Sequence, residues 1–306
     1  MAAMDMTSDL RGTLKLDEPM SKHTTWRVGG SADRYYEPAD IEDMANYLRQ
    51  LPEKEQVTLV GLGSNLLIRD KGIRGSVICP TGLLNGFEFL DDNKLRVEAG
   101  VPCAIVAKRC AKDGFSGLEF LAGIPGTIGG ALAMNAGAFG GETWPNIQKV
   151  EVLDREGQFH VRSPDQYLIG YRSVIGPMDG LLEEWFVSAH FTLKSYGNSN
   201  EIEEGTSKIK KLLAKRSETQ PTGVASCGSV FRNPHGDFAA RLIEACGLKG
   251  HQIGGAQVSE KHANFIINLG NSSAADIENL ILLVAEEVKK KQGVTLESEV
   301  RIVGDV

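Results

Sequence analysis

The sequence predicts an α+β protein built around a glycine-lined anion cradle, and three observations predict it. The stretch from Gly114 to Gly141 holds nine of the chain's 35 glycines, with Glu119 as its one ionisable side chain. Strict alternation places Val187, Ala189, Phe191 and Leu193 on one face of a strand. Ile277, Leu280, Ile281, Val284 and Val288 recur at helical spacing.

Composition narrows the class. With 306 residues the chain has room for two domains or three small ones. Hydrophobic content of 42% and charged content of 24% are those of a soluble globular protein. No apolar run approaches the ~20 residues of a membrane helix, and the polar start MAAMDMTSDLRG has no signal-peptide core. A cytoplasmic protein is expected. Cysteines 79, 103, 110, 227 and 246 form no CxxC pair, which points to buried hydrophobes rather than disulfides or zinc. The six histidines form no metal-binding pair, so no metal is expected. A net charge of −7 argues against nucleic acid, and no obligatory protein partner is implied.

In chain order, a loose start leads to HTTWRVGGSADRYYEPAD, strand-like, broken at Gly29-Gly30 and closed by Pro38. Asp40 caps a helix with Ile41, Met44, Leu48 and Leu51 on one face. Strands at Val57 to Val60, Leu66 to Ile68 and Val77 to Ile78 surround a glycine turn. Gly61 and Gly63 begin like a dinucleotide fingerprint, but Leu66 stands where the last glycine belongs and no helix follows. Ser64 and Asn65 sit at that turn with donors suited to a phosphate. A hairpin turns at Asp91-Asp92-Asn93, and a helix follows with Pro102 near its start and Gly114 past its end.

Next comes the cradle. Its glycine density excludes an ordinary helix, since each interior glycine costs about 1 kcal/mol. Gly123, Gly126, Gly129 and Gly130 let main-chain N–H groups approach an anion such as a pyrophosphate, and Pro125 stiffens the turn. A packed loop bundle without ligand is the alternative. A hairpin spans Val150 to Val161, His190 lies on the outer face of its strand as a surface histidine, and a helix with Ile202, Ile209, Leu212 and Leu213 on its core side ends by Pro221. Asp237 caps a short helix carrying Leu242, Ile243 and Cys246. The last helix is capped by Ser272 or Ser273 and ended by Gly293, so Lys289 to Lys291 are a solvated helix end.

Three loci carry reactive side chains. Arg172 in Tyr171-Arg172-Ser173 suits a carboxylate or phosphate, or an ordinary surface ion pair. Ser229 follows Cys227-Gly228, but no GxSxG elbow is present, which disfavours acyl transfer. Alternation in TLESEVRIVG puts Glu297 and Glu299 on one face of a strand. Residue spacing goes no further than a phosphate-binding α+β protein.

The strings VGLGSNLLIRDKGIRG, GLEFLAGIPGTIGGALAMNAGAFGGE, YRSV, QPTGVASCGSVFRNP, GAQVSEKHANFIIN and LESEVRIVG, in this order over nearly the whole chain, resemble the UDP-N-acetylenolpyruvoylglucosamine reductase family, in its shorter type. These are FAD enzymes of peptidoglycan precursor synthesis. The resemblance implies a flavin-binding fold of the vanillyl-alcohol-oxidase type. Its two FAD-binding subdomains would be 1–79, with the tail 299–306, and 80–217; a substrate domain would span 218–298. Non-covalent FAD would lie on Gly61, Gly63, Ser64, Asn65 and Leu66, and on Gly123, Ile124, Pro125, Gly126, Thr127, Gly129, Gly130, Asn135, Gly137 and Ala138.

The resemblance also implies the reaction. NADPH reduces FAD, and hydride passes to the vinyl carbon of the enolpyruvyl UDP-sugar, giving UDP-N-acetylmuramate. Arg172 and Glu299 match the pair that steadies the enolate-like species, and Ser229 matches the proton donor. Tyr171, Asn233 and His262 match substrate contacts, and Arg216 is a candidate for the diphosphate. Two other classes compete: a flavin oxidase acting on a carbohydrate or alcohol, where a His or Cys often tethers FAD, and a non-catalytic phospholigand-binding module. The cradle has neither His nor Cys.

Overall fold

The computed structural model describes residues 10–177, 183–197 and 199–306, so residues 1–9 of the first expected subdomain lie outside the described residues. Strand β1 (Thr13–Pro19) falls in the start that carries no clear pattern. Leu14 and Leu16 alternate with charges, but Leu16 is exposed and Asp17 takes a φ of 52°. Strand β2 (Ser31–Glu37) begins after Gly29-Gly30 and stops before Pro38, as expected. Helix α1 (Ile41–Gln50) is capped by Asp40, whose carboxylate accepts the Asp43 N–H at 2.9 Å. Strands β3 (Val57–Leu59), β4 (Leu66–Ile68) and β5 (Ile73–Ile78) follow, the last starting four residues before the apolar pair that marks it. One sheet runs in the order β1-β2-β5-β3, with β3 parallel to β5 and Thr58 opposite Val77.

Strands β6 (Phe87–Leu90) and β7 (Lys94–Glu98) form the expected hairpin, with Asp92 and Asn93 both at positive φ in the turn. Helix α2 (Cys103–Lys112) starts after Pro102. One expectation is corrected in the cradle: Ile128 to Met134 form a helix, α3 (Ile128–Met134), that includes Gly129 and Gly130. The reason is close packing, since a Cβ on Gly129 would meet the Ala99 Cβ at 3.0 Å. Strands β8 (Ile147–Asp154), β9 (Phe159–Arg162), β10 (Leu168–Gly170), β11 (Ser173–Ile175) and β12 (Glu184–Thr192) come next, then helix α4 (Ser199–Thr219). Helix α5 (Ala239–Ala245), strands β13 (Ala256–Val258) and β14 (Ile266–Asn268), helix α6 (Ala274–Gln292) and strand β15 (Arg301–Val303) complete the chain.

The chain divides into two compact units. The first comprises Met1–Lys15, Tyr35–Gly61 and Ser76–Leu213. Its centre is an antiparallel sheet in the order β9-β8-β12-β7-β6. Leu95, Val97, Val150, Val152, Ala189 and Phe191 are fully buried in one core with residues of α2 and α3. Each such side chain is worth about 1.5–3 kcal/mol of burial. On the other face His190 is not the surface histidine expected. It is 6% exposed, and its Nε2 lies 2.7 Å from Glu151, which also accepts from Ser188 at 2.6 Å and from Arg96. The alternating pattern finds the face but not the ionic cluster that covers it.

The second unit comprises Leu16–Arg34, Leu62–Gly75 and Ala214–Val306. Trp26 and Leu67 share its core with Phe231, Leu242, Ile243, Val258, Ile266 and the expected stripe of α6. The Trp26 indole donates to the Ile266 carbonyl at 2.8 Å. Ser273 closes a capping box with Asp276, and Gly293 ends α6 at a φ of 71°. Helix α5 is not capped by Asp237, which pairs with Arg241 instead; Asn233 Oδ1 accepts the Ala239 N–H at 3.1 Å. The two glutamates near the C-terminus do not share a strand face. Strand β15 starts only at Arg301, Glu297 is exposed beside Arg232, and Glu299 is half-buried. Among the described residues no helix is long and apolar enough to cross a membrane.

Candidate active site

In the first unit Gly61, which opens the first expected turn, lies against the cradle. A Cβ on Gly61 would stand 2.7 Å from Thr127 Oγ1, so only glycine lets the first turn approach the cradle so closely. Not every cradle glycine faces a ligand. A Cβ on Gly123 would strike the Phe139 ring at 2.3 Å, and one on Gly137 the Gly141 carbonyl at 2.4 Å. The N–H groups of Ile128 and Gly129 donate to the Val101 and Ala99 carbonyls, both at 2.9 Å, and the Gly126 N–H donates to Ile124 at 3.0 Å. The N–H groups of Thr127 and Gly130 have no acceptor among the described residues. Both are available to an anion, after Ile124 and Pro125 have set the turn.

Asn135 ends α3 in the left-handed region and is 2% exposed. Its amide donates to Glu142 and to the Gly170 carbonyl, and its oxygen accepts the Trp144 N–H. This side chain braces the cradle against the β10–β11 hairpin. That hairpin turns at Tyr171 and Arg172, with Gly170 opposite Ser173. Arg172 takes a φ of 54° and donates to the carbonyl of Gly137, next to Ala138, at 2.8 Å. Its guanidinium lies 5.6 Å from the centre of the exposed Tyr171 ring. Arg172 is therefore tied to the cradle.

In the second unit Gly63 is required by its surroundings: at a φ of 60°, a Cβ would stand 2.0 Å from the His23 carbonyl. The Ser64 hydroxyl has no partner among the described residues. Asn65 donates its side-chain amide to the Glu299 carbonyl at 2.9 Å, and Leu66 opens β4 opposite Arg301. The Glu299 N–H donates to the Val230 carbonyl at 2.8 Å. Ser229, half-buried, immediately precedes Val230 and follows Gly228, whose φ is 82°. Thus Asn65, Glu299 and the Ser229 loop are joined through hydrogen bonds. Burial, and then the Glu299 carboxylate, hold the Cys227 thiol well above its usual range, so it stays protonated.

Asn264 is the residue that sequence reading missed. Its carbonyl accepts the Val230 N–H, and its side chain bonds Phe231 through both N–H and C=O. It splints the loop after Ser229; the only signal was its place beside His262. The half-buried His262 ring accepts the Asn264 N–H at Nδ1, 3.3 Å, which leaves Nε2 as the protonated nitrogen. Burial, and next the positive Lys249, lower its pKa, so the ring is neutral at pH 7. Arg216 is half-buried near the end of α4 and bonds Gln220 at 3.0 Å; burial lowers its pKa, though an arginine remains charged. Asn233 is exposed, with its oxygen engaged by α5. Arg172 belongs to the first unit, and Ser229 and Glu299 belong to the second.

Comparison with known proteins agrees with this architecture. Residues 32–162 match the FAD binding domain, and residues 220–303 match the C-terminal domain of UDP-N-acetylenolpyruvoylglucosamine reductase. The UDP-N-acetylenolpyruvoylglucosamine reductase of Methylococcus capsulatus is 55% identical over 295 residues, covering 96% of this chain and 94% of its own. That of Legionella pneumophila, strain Lens, is 53% identical over 299 residues, covering 97% and 94%. The crystal structure of the Thermus caldophilus reductase superposes with a TM-score of 0.78 at 31% identity, over 96% of this chain and 99% of that one. The α+β FAD-binding fold of the vanillyl-alcohol-oxidase type is therefore the fold of this chain. With more than half its residues identical to relatives along almost its whole length, and a reductase C-terminal domain carrying Ser229 and Glu299, the chain belongs to the UDP-N-acetylenolpyruvoylglucosamine reductase family.

Proposed function

We propose that this chain reduces UDP-N-acetylglucosamine enolpyruvate to UDP-N-acetylmuramate, with NADPH as reductant, as a cytoplasmic step of peptidoglycan precursor synthesis. The cofactor is FAD. The residues present fit it: Gly61 admits the cradle side chain Thr127 at a distance no Cβ would allow, and two main-chain N–H groups there await an anion. The FAD diphosphate would lie on Gly61, Thr127 and Gly130, held without a covalent tether. Bound FAD supplies the hydride relay from NADPH to the terminal vinyl carbon of the substrate.

The protein's own groups manage the charge and the proton. As hydride arrives, negative charge builds on the adjacent carbon and its carboxylate. The Arg172 guanidinium, anchored to the Gly137 carbonyl, offers a fixed cation to that charge. Glu299 acts in its protonated or hydrogen-bond-sharing form, because a bare carboxylate would repel the enolate. Ser229 Oγ delivers the proton to the carbon, completing a CH–CH3 lactyl ether. A hydroxyl is a weak acid, but a carbanionic centre is a strong base, so position decides. His262, neutral and protonated at Nε2, donates one hydrogen bond to the substrate, and Tyr171, Asn233 and Arg216 hold its sugar and diphosphate.

The observation that carries this reading is the bond from the Glu299 N–H to the Val230 carbonyl, which sets Glu299 beside the Ser229 loop. The test is an anaerobic stopped-flow experiment at the flavin band. NADPH bleaches the flavin, and the enolpyruvyl UDP-sugar then restores the colour without oxygen. A bleached flavin that the sugar does not reoxidise would refute the substrate, and a protein purified without flavin would refute the cradle.

A further inference from the structure

We infer that Asn65 is a positioning residue for Glu299: its side-chain amide fixes the Glu299 peptide, and with it the carboxyl, relative to the Ser229 loop. This rests on the proposed role of Glu299. Asn65 lies between the glycine turn and β4, a place that invites reading it as a phosphate ligand. Its Nδ2 instead donates to the Glu299 carbonyl at 2.9 Å, while its own carbonyl accepts the Arg301 N–H at 3.1 Å. The two bonds bracket buried Val300.

The need for such a bracket is visible in the backbone. Strand β15 pairs with β4 only from Arg301 onward. Upstream, the backbone holds are the Ser298 bridge to Phe231, the Arg232 N–H on the Glu297 carbonyl, and the Glu299 N–H on Val230. All of these act on the N-terminal side of Glu299 or on its own N–H. The Asn65 amide adds a hold on the Glu299 carbonyl itself, and so on the peptide plane that leads to Val300. An amide at residue 65 has the reach and the donor; alanine has neither. With both ends of the Glu299 peptide clamped, the carboxyl is pre-set, and a displacement of about 1 Å there is enough to cost on the order of 100-fold in rate.

The test uses full-length, FAD-loaded Asn65→Ala, Glu299→Gln and the double variant. Each is followed by stopped-flow in both half-reactions, and by titration for FAD affinity. The turn that carries Asn65 is also read as holding FAD, so Asn65→Ala is compared at saturating FAD, where reduction by NADPH is expected to change less than reoxidation. Reoxidation by the enolpyruvyl UDP-sugar is expected to slow by about 10- to 100-fold. In the Glu299→Gln background the same change is expected to add less than about twofold. Equal slowing of both half-reactions at saturating FAD, or full additivity, would overturn the inference. A slow Glu299→Gln beside a wild-type Asn65→Ala refutes Asn65 alone; a wild-type Glu299→Gln refutes the role of Glu299 and this inference with it. Should Asn65→Ala not fold, Asn65→Asp turns a carboxylate oxygen toward the Glu299 carbonyl and must slow reoxidation at least as much.

Discussion

Gly61 and Thr127 touch: a Cβ on the glycine would come within 2.7 Å of the threonine hydroxyl oxygen, and Thr127 is 2% exposed, with little room to retreat. Gly61→Ala is therefore expected to lower stability by about 1–3 kcal/mol through overpacking and to weaken FAD binding by tenfold or more. Adding Thr127→Ala removes the clashing oxygen and should recover most of the stability. Thermal denaturation of the apoprotein and fluorescence titration with FAD read the two effects separately. A destabilised single variant that the second change does not rescue would mean Gly61 is needed for another reason.

Ser229→Ala deletes the proposed proton donor without disturbing its loop, whose hydrogen bonds run through the backbone of Val230 and Phe231 to Asn264. Flavin reduction by NADPH should stay near the wild-type rate, while reoxidation by substrate slows by several orders of magnitude. Equal slowing of the two half-reactions in stopped-flow traces would remove Ser229 from the proton-transfer step.

Glu151 sets an acid limit on the first unit. Burial alone would raise its pKa, but hydrogen bonds from His190, Arg96 and Ser188 outweigh burial and hold the carboxylate well below its usual range. Its folded pKa is thus lower than the unfolded value of about 4.3. Between the two the unfolded chain binds more protons, so this contribution is present above the unfolded pKa and is lost as pH falls toward the folded one. Glu151→Gln is expected to cost about 2–4 kcal/mol at pH 7, since it leaves the Arg96 guanidinium without its counter-charge. The gap to wild type should narrow below about pH 4. Urea denaturation at a series of pH values measures it, and a gap that is constant with pH would contradict the account.

What could be read from the sequence followed from local periodicity. The α6 stripe, its Ser273 cap and Gly293 stop, the Asp40 cap, the Asn93 hairpin and the buried face of β12 all stand in the structure because neighbours in sequence determine them. The failures lie where distant residues decide. Gly129 lies in a helix because α3 packs closely against Ala99, and His190 is buried because Glu151 and Arg96 arrive from other strands. Asp237 looked like the cap of α5, yet Asn233 reaches its first turn from outside. In the candidate site, residue types and order were legible through family resemblance. The hydrogen bonds of Asn65 and Asn264 were not, since their partners lie far along the chain or hang on one loop's path.

Asp70 illustrates such a distant partner and leads to a sharp test. At the end of β4, its two carboxylate oxygens accept the Ala274 and Ala275 N–H groups at 2.9 and 3.0 Å, while Ser273 accepts that of Asp276. The first three donors of α6 are thus satisfied by two residues, one of them from outside the helix. Asp70→Ala should lower stability by about 1–2 kcal/mol, as for loss of an N-cap, and Asp70→Asn, which keeps one acceptor, by roughly half of that. In urea the midpoint should fall with an unchanged slope. The consequence reaches the site, because the buried stripe of α6 shares its core with Val230, Phe231 and Val300, which flank Ser229 and Glu299. If the stability loss is confined to global unfolding, reoxidation of the flavin by substrate stays at the wild-type rate. A slowed reoxidation at full occupancy of the folded state would show that the cap also sets the position of those two residues.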